Sequence, residues 1–283
     1  MVLLNGASDF VTLGEDEFVR EATRIVATAN SQGVCGRIMG SLAGYIHSMD
    51  KPEVISTFKS LGRFGEGKPN FTDLDLAAYS KQGRQIGQVF KQMGFRPDDM
   101  INGFFGERRL IYYHPKGAFH VDVFLNKLEF SHTVEFGEKP GSGRLELDSP
   151  TITLADLALE KLQIHEINRK DLVDLAVLFL GHDIGASSSN DRELVDGAYI
   201  SKILCHDWGF YYDAIANLNK VKSFAHELSN EGKLTHPHLS TVNHRIDKLV
   251  SMVETSPKTK KWEDRAKAGT KKPWFRQVEE VVR

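Results

Sequence analysis

Cysteine is nearly absent: only Cys35 and Cys205 occur in 283 residues, and they stand far apart. Two such thiols make no disulfide framework, and they fit a reducing, cytoplasmic setting. The eleven histidines show no zinc-ligand spacing with matching cysteines. Neither sign of charge is in excess. A net charge of -2 creates no global field that would call for a nucleic-acid partner. No uninterrupted apolar run reaches the length of a membrane span, and the opening MVLLNGASDF lacks the basic region of a signal peptide. No repeat or low-complexity segment is present, which removes solenoids and arrays. What remains is globular in composition, 41% hydrophobic and 26% charged. The length suits one large domain or two ordinary ones.

Periodicity supplies the organisation. Phe18, Ala22, Ile25 and Val26 recur at helical spacing between Glu15 and Asn30. Val34 to Met39 reads as a short buried strand, broken by Gly40-Ser41 before a helix from Leu42 to His47. Strands are expected at Leu74 to Tyr79, Leu110 to His114, Phe119 to Leu125 and Leu145 to Leu147, and a helix from Gln82 to Met93. After Pro150 the pattern turns helical: Leu154 to His165, Asn168 to Leu180, Leu194 to Ile203, Tyr211 to Leu228 and Thr241 to Thr255. His236-Pro-His238 reads as a loop and Ser187-Ser-Ser189 as a linker. The expected class is α+β, with a mixed-sheet domain over residues 1–150 and a helical domain over 151–283.

The chemistry concentrates in three aspartates. In Thr72-Asp73-Leu74-Asp75-Leu76 the two carboxylates lie two apart, so on a strand they share a face while the leucines enter the core. Carboxylates so placed repel unless a proton or cation lies between them. Mg²⁺ suits them, because it prefers carboxylate oxygens and keeps positions open for phosphate. Asp122, between Val121 and Val123, adds a third carboxylate to another apolar strand. Together the three would make a platform for two metal ions. Taken singly, each has a plain alternative: a strand-end pair for Asp73 and Asp75, a solvent-facing edge residue for Asp122.

Gly40-Ser41, between strand and helix, offers close backbone approach and N–H donors to a phosphate. The alternative is that Ser41 merely caps the helix. The order strand–Gly-Ser–helix, strand–Asp-x-Asp, strand–Asp resembles the polymerase-beta-like nucleotidyltransferase superfamily. That resemblance implies an NTP whose triphosphate lies on Gly40 and Ser41, with Mg²⁺ on Asp73, Asp75 and Asp122. Compact members have a shorter gap between the two motifs, so Lys51 to Asn70 reads as an inserted loop. Within it, Gly62-Arg-Phe-Gly65-Glu-Gly67-Lys68 is not a Walker loop, since Pro69 follows the lysine. Arg63 and Lys68 there are either solvated or lid cations.

In the helical half, Lys161 falls on the apolar stripe of Leu154, Leu157 and Ala158, where lysines usually snorkel. Asp171 and Asp174 interrupt the next, otherwise apolar helix. This pair of helices resembles the second half of AbiEii-type toxin nucleotidyltransferases. The resemblance implies that Lys161 contacts nucleotide phosphate and that Asp171 contributes to catalysis or site geometry. Arg108 and Arg109 are either surface residues or substrate contacts. From Pro257 onward nine basic residues face four acidic ones, with Trp262, Trp274 and Phe275 interleaved. Such a tail either docks its aromatics on the body or grips an RNA backbone. The expected reaction is transfer of an NMP from an NTP to an acceptor, with pyrophosphate released. A tRNA 3′ end is the favoured acceptor, a small molecule the alternative, and an inactive nucleotide-binding module the reading outside enzymes.

Overall fold

A computed structural model describes residues 13–65, 67–186 and 192–277; the opening segment and Ser187–Ser189 lie outside the described residues. Five strands make one mixed sheet: β1 (Gly36–Ile38), β2 (Leu74–Ala78), β3 (Arg96–Pro97), β4 (Arg109–Tyr113) and β5 (His120–Leu125). Their order is β1-β2-β5-β4-β3, and only the β2–β5 pairing is parallel. Alternation assigns the two faces. Leu74, Leu76, Val121, Val123, Leu110 and Tyr112 are buried on one. Ile25 and Val26 of α1 (Glu15–Ser31) and Ile86 and Val89 of α4 (Gly83–Gln92) close over it, sharing a cavity wall with Leu76 and Val123. The opposite face carries Asp75, Asp122 and Arg109.

Gly40-Ser41 opens a helix as the sequence suggests, α2 (Gly40–His47). The segment expected to be an inserted loop does not stay irregular. Pro52–Leu61 forms a helix, α3, with Pro at its first turn and Val54, Phe58 and Leu61 buried. Its apolar face packs on α7 (Arg169–Gly181), a partner far along the chain that local composition does not reveal. α5 (Asp99–Phe105), not anticipated from periodicity, precedes β4. After β5 the chain turns at Asn126, held at φ 68° with its side chain bonded to Ser80, into a hairpin of β6 (Lys127–Glu129) and β7 (Thr133–Glu135). The strand expected at Leu145 to Leu147 is a turn instead: Leu147 N closes on Arg144 O, and the buried Leu145 donates to the Tyr79 hydroxyl rather than to a neighbouring strand.

The chain remains paired to the sheet as it passes residue 150. Ile38 N donates to Pro150 O and Ile152 N to Ile38 O, both at 2.9 Å. α6 (Leu154–Leu162) then packs on α2, and one buried apolar cluster runs through both halves. α8 (Gly197–Leu204), α9 (Trp208–Asn230) and α10 (His236–Thr255) follow. His236-Pro-His238 belongs to the first turn of α10 rather than to a loop; Thr235 caps it and Pro237 lacks only an N–H that would have no partner there. Among the described residues no helix is long and apolar enough to cross a membrane.

The C-terminal aromatics dock on the body. Trp262, in α11 (Lys260–Ala268), meets Tyr211 edge-on at 5.1 Å. Phe275 stacks on His165 at 3.6 Å, and Arg276 donates to Phe130 O and Thr133. The anchor is Asp213 on α9, 3% exposed, which accepts from His132 (2.8 Å), His165 (3.0 Å) and Trp274 Nε1 (3.0 Å). Removing that carboxylate strands three donors. Asp213→Ala is therefore expected to lower stability by about 2–4 kcal/mol in chemical denaturation. It should also speed tryptic cleavage after Lys271 in the folded protein, by loosening the backbone that Trp274 holds down; an unchanged digestion rate would contradict the anchoring role.

Candidate active site

Strand register sets the geometry. Asp75 on β2 lies directly opposite Asp122 on β5, so both carboxylates emerge side by side on the open face. Asp73, two residues before Asp75 and expected on the same strand face, lies exposed in the bend before β2, where it accepts from Thr72 Oγ1 at 3.0 Å. The Asp75 carboxyl has no hydrogen-bond or ion-pair partner among the described residues. Although part of its side chain remains accessible, its pKa is pushed up to about 8. Burial is the largest cause, followed by the charges of Asp73, Asp122 and Glu160, with Lys161 acting the other way. At neutral pH an unliganded Asp75 keeps its proton.

Asp122 is treated oppositely. Arg109, directly across Phe124 on β4, binds it with both ends of its guanidinium, at 3.2 and 2.7 Å. His120 Nε2 lies 3.5 Å away. Burial raises the pKa of Asp122, but hydrogen bonds and charge from His120 and Arg109 outweigh it, so the carboxyl stays below its ordinary value. Arg109 is thus held against Asp122 and is not a free surface arginine. Arg108 remains exposed.

Gly40 approaches this cluster from the α2 side. Its φ is +70°, and a Cβ there would stand 3.4 Å from Asp75 Oδ2. Its N–H donates to Glu160 Oε2 at 3.0 Å, so one donor of the expected phosphate cradle already holds a carboxylate. Ser41 is not the helix cap; that position is Met39, which makes no side-chain bond. Ser41 instead lines a cavity of about 20 Å³ with Gly40, Leu157, Lys161 and Asp174, room for a single water.

Lys161 and Asp171 lie just behind Gly40. The Lys161 ammonium is 3.2 Å from Asp171, 3.3 Å from Glu160 and 3.3 Å from Asp174. Burial opposes its charge, yet these carboxylates raise its pKa well above the ordinary value. An ammonium has three donors, and three carboxylates surround this one. Arg63 is neither a solvated loop charge nor a lid cation: it is held against Asp174 at 2.8 and 3.1 Å. Lys68 is exposed.

Sequence reasoning missed Glu160, Asp174 as the Arg63 partner, and Arg109 as the Asp122 partner. The signal for Glu160 is its place next to Lys161 in the largely apolar run Leu154 to Leu162. Arg109 is found only once β4 is placed antiparallel to β5.

Among the described residues no three His, Cys, Asp or Glu side chains are drawn together as a metal cluster. The donor set nevertheless suits a hard cation in chemistry. Asp75 is an unpartnered carboxylate crowded by Asp73 and Asp122, and charge of the opposite sign would relieve that crowding.

No protein-family model and no curated protein matches this sequence. The crystal structure of an antigenic nucleotidyltransferase-like protein from Paracoccidioides brasiliensis is similar at a TM-score of 0.40 and 12% identity, over 88% of this chain and 97% of that one.

Because folding holds the Asp75 proton that the unfolded chain loses near pH 3.8, stability falls as pH rises from about 4 to about 8. Asp75→Asn should therefore melt higher than wild type in EDTA. The advantage should be largest at and above pH 8 and should vanish near pH 4. Equal melting temperatures at pH 8.5 would show that Asp75 carries no such strain.

Proposed function

We propose that this chain is a divalent-cation-dependent nucleotidyltransferase that moves an NMP from an NTP to an acceptor, releasing pyrophosphate. One observation carries the reading: Asp75 and Asp122 stand opposite each other on parallel strands with Asp73 beside them, and Asp75 is left without a partner. Asp73, Asp75 and Asp122 would hold Mg²⁺, two ions on this reading. Bound there, the metal would supply a Lewis acid for phosphoryl oxygen and a lower pKa for an attacking hydroxyl.

The residues divide the remaining work. The amides of the first turn of α2 lack intrahelical partners, and Gly40 and Ser41 present them beside Asp75. Glu160 holds the Gly40 N–H, so an arriving phosphate displaces it or binds through Ser41 and the amides beyond. Arg109 fixes Asp122 in one orientation and keeps it ionised, ready to take a proton or a cation. Lys161 acts through its field rather than by contact, since direct phosphate contact requires it to release a carboxylate. Asp171, one of those carboxylates, positions Lys161.

The favoured acceptor, an RNA 3′ end, draws its support from the exposed cations Lys260, Lys261, Lys271 and Lys272. The tail aromatics are engaged within the molecule. A small hydroxylated acceptor needs no tail. An inactive binder would retain NTP affinity without turnover.

Incubation with labelled NTP, Mg²⁺ and candidate acceptors should release pyrophosphate. The rate should fall by at least about hundredfold in Asp73→Ala/Asp75→Ala, the scale on which charge-stabilising groups act. Turnover undiminished in that double variant would end the assignment.

A further inference from the structure

A second opening adjoins the carboxylates, on the side away from Gly40. Across the sheet the order is β1, β2, β5, β4. Gly40 follows β1, Asp75 is on β2, Asp122 on β5 and Arg109 on β4. Beyond Asp122 on the same face lie Phe124, two residues on, and Arg109, its cross-strand partner. They belong to the lining of a pocket of about 260 Å³, with Ile101 and Phe105 from α5, Arg108, and Phe130 from the turn of the β6–β7 hairpin.

Three features fix the class of occupant. The rings present faces and edges: Arg109 lies 5.3 Å from the Phe124 centroid, and Phe130 meets Phe124 edge-on at 5.9 Å. Flat π systems stack on such a lining, and a guanidinium adds to the stack. The volume falls just under the roughly 300 Å³ lower bound of whole small-molecule sites, so it fits one ring system. Finally, α5 holds its apolar side outward at the mouth. Asp98 caps it and Asn102 is bonded to the Ile111 backbone, while Phe104 and Phe105 remain 80% and 56% exposed. Large rings left in water beside a pocket mark a binding surface.

We propose that this pocket is the acceptor subsite of the cleft and that it takes the planar heteroaromatic ring of a nucleoside. The proposal rests on the transferase reading, because Asp122 stands between the pocket and the Gly40 side. A ring seated on Phe124 places its attached sugar hydroxyl toward Asp122. A triphosphate at Gly40 approaches the same carboxylates from the other end. A docked protein segment along α5 is the competing occupant; it would need Phe104 and Met100, not the pocket floor.

Adenosine is the probe, with binding followed by calorimetry on the full chain. Wild type should bind it, and Phe105→Ala and Phe130→Ala should each weaken it about tenfold or more, while Asp73→Ala/Asp75→Ala changes it by less than about twofold. Phe105 is exposed, so its variant folds even if Phe130→Ala does not. No adenosine binding by wild type, or binding unaffected by Phe105→Ala, overturns the subsite. So does loss in the aspartate variant alone, which would put the ring in the metal cleft. Pyrophosphate release from NTP tests the transferase reading separately: a pocket that fails leaves that turnover intact, and a chain without turnover can still bind adenosine here.

Discussion

Asp75 opposite Asp122 is the constraint on which the rest of the site turns. Parallel pairing of β2 and β5 sets them in register, and like charges directly opposite one another destabilise a sheet. The fold answers the two halves of that problem differently. Asp122 is neutralised from β4 by Arg109 and approached by His120, and stays ionised. Asp75 gets no cation from the protein and retains a proton to about pH 8. A purely structural pair would have been satisfied on both sides or replaced by apolar residues. On the proposed reading, the unmatched member is the one an added cation would satisfy.

The second charge cluster explains how the helices after residue 150 serve the sheet. Glu160, Asp171 and Asp174 face Lys161 and Arg63 in a buried network, three carboxylates against two cations. Glu160 also accepts from the Gly40 N–H. Burial of such a network is weak support for stability in itself, and removing one partner is costly. Its consequence here is positional. α6 and α7 are locked to each other, the turn after α3 is tied to α7 through Arg63, and the start of α2 is tied to α6. The backbone beside Asp75 is therefore fixed by residues from about 120 positions away in sequence.

Much of this was legible in the sequence, for reasons that can be located. The alternation around Asp75 and Asp122 puts those two carboxylates on the same face of apolar strands, since period two leaves little freedom, whereas Asp73, expected on that strand face, lies in the bend before β2. α6 and α7 announced themselves by their apolar stripes, broken only at a few charged positions. Failures came where a distant partner decides the outcome. Pro52–Leu61 lies beside a Gly-rich stretch that suggests a loop, yet Val54, Phe58 and Leu61 find α7. Leu145 to Leu147 has strand composition but no ladder to join. The Glu160–Gly40 bond joins two motifs read separately, and nothing local to either one announces it.

Strand order then gives the cleft a direction. Gly40 and the amides of α2 lie at one end, the unmatched carboxylate next, the Arg109-bound carboxylate after it, and the Phe124 pocket last. A ligand that used every part would carry its negative charge, its reacting centre and its flat ring in that sequence. Arg109 makes the last two interdependent, because the guanidinium that holds Asp122 also lines the pocket. A ligand seated against Phe124 would alter how firmly Arg109 holds the carboxylate, and a cation at Asp122 would alter what Arg109 offers the pocket. That coupling follows from one side chain having two neighbours.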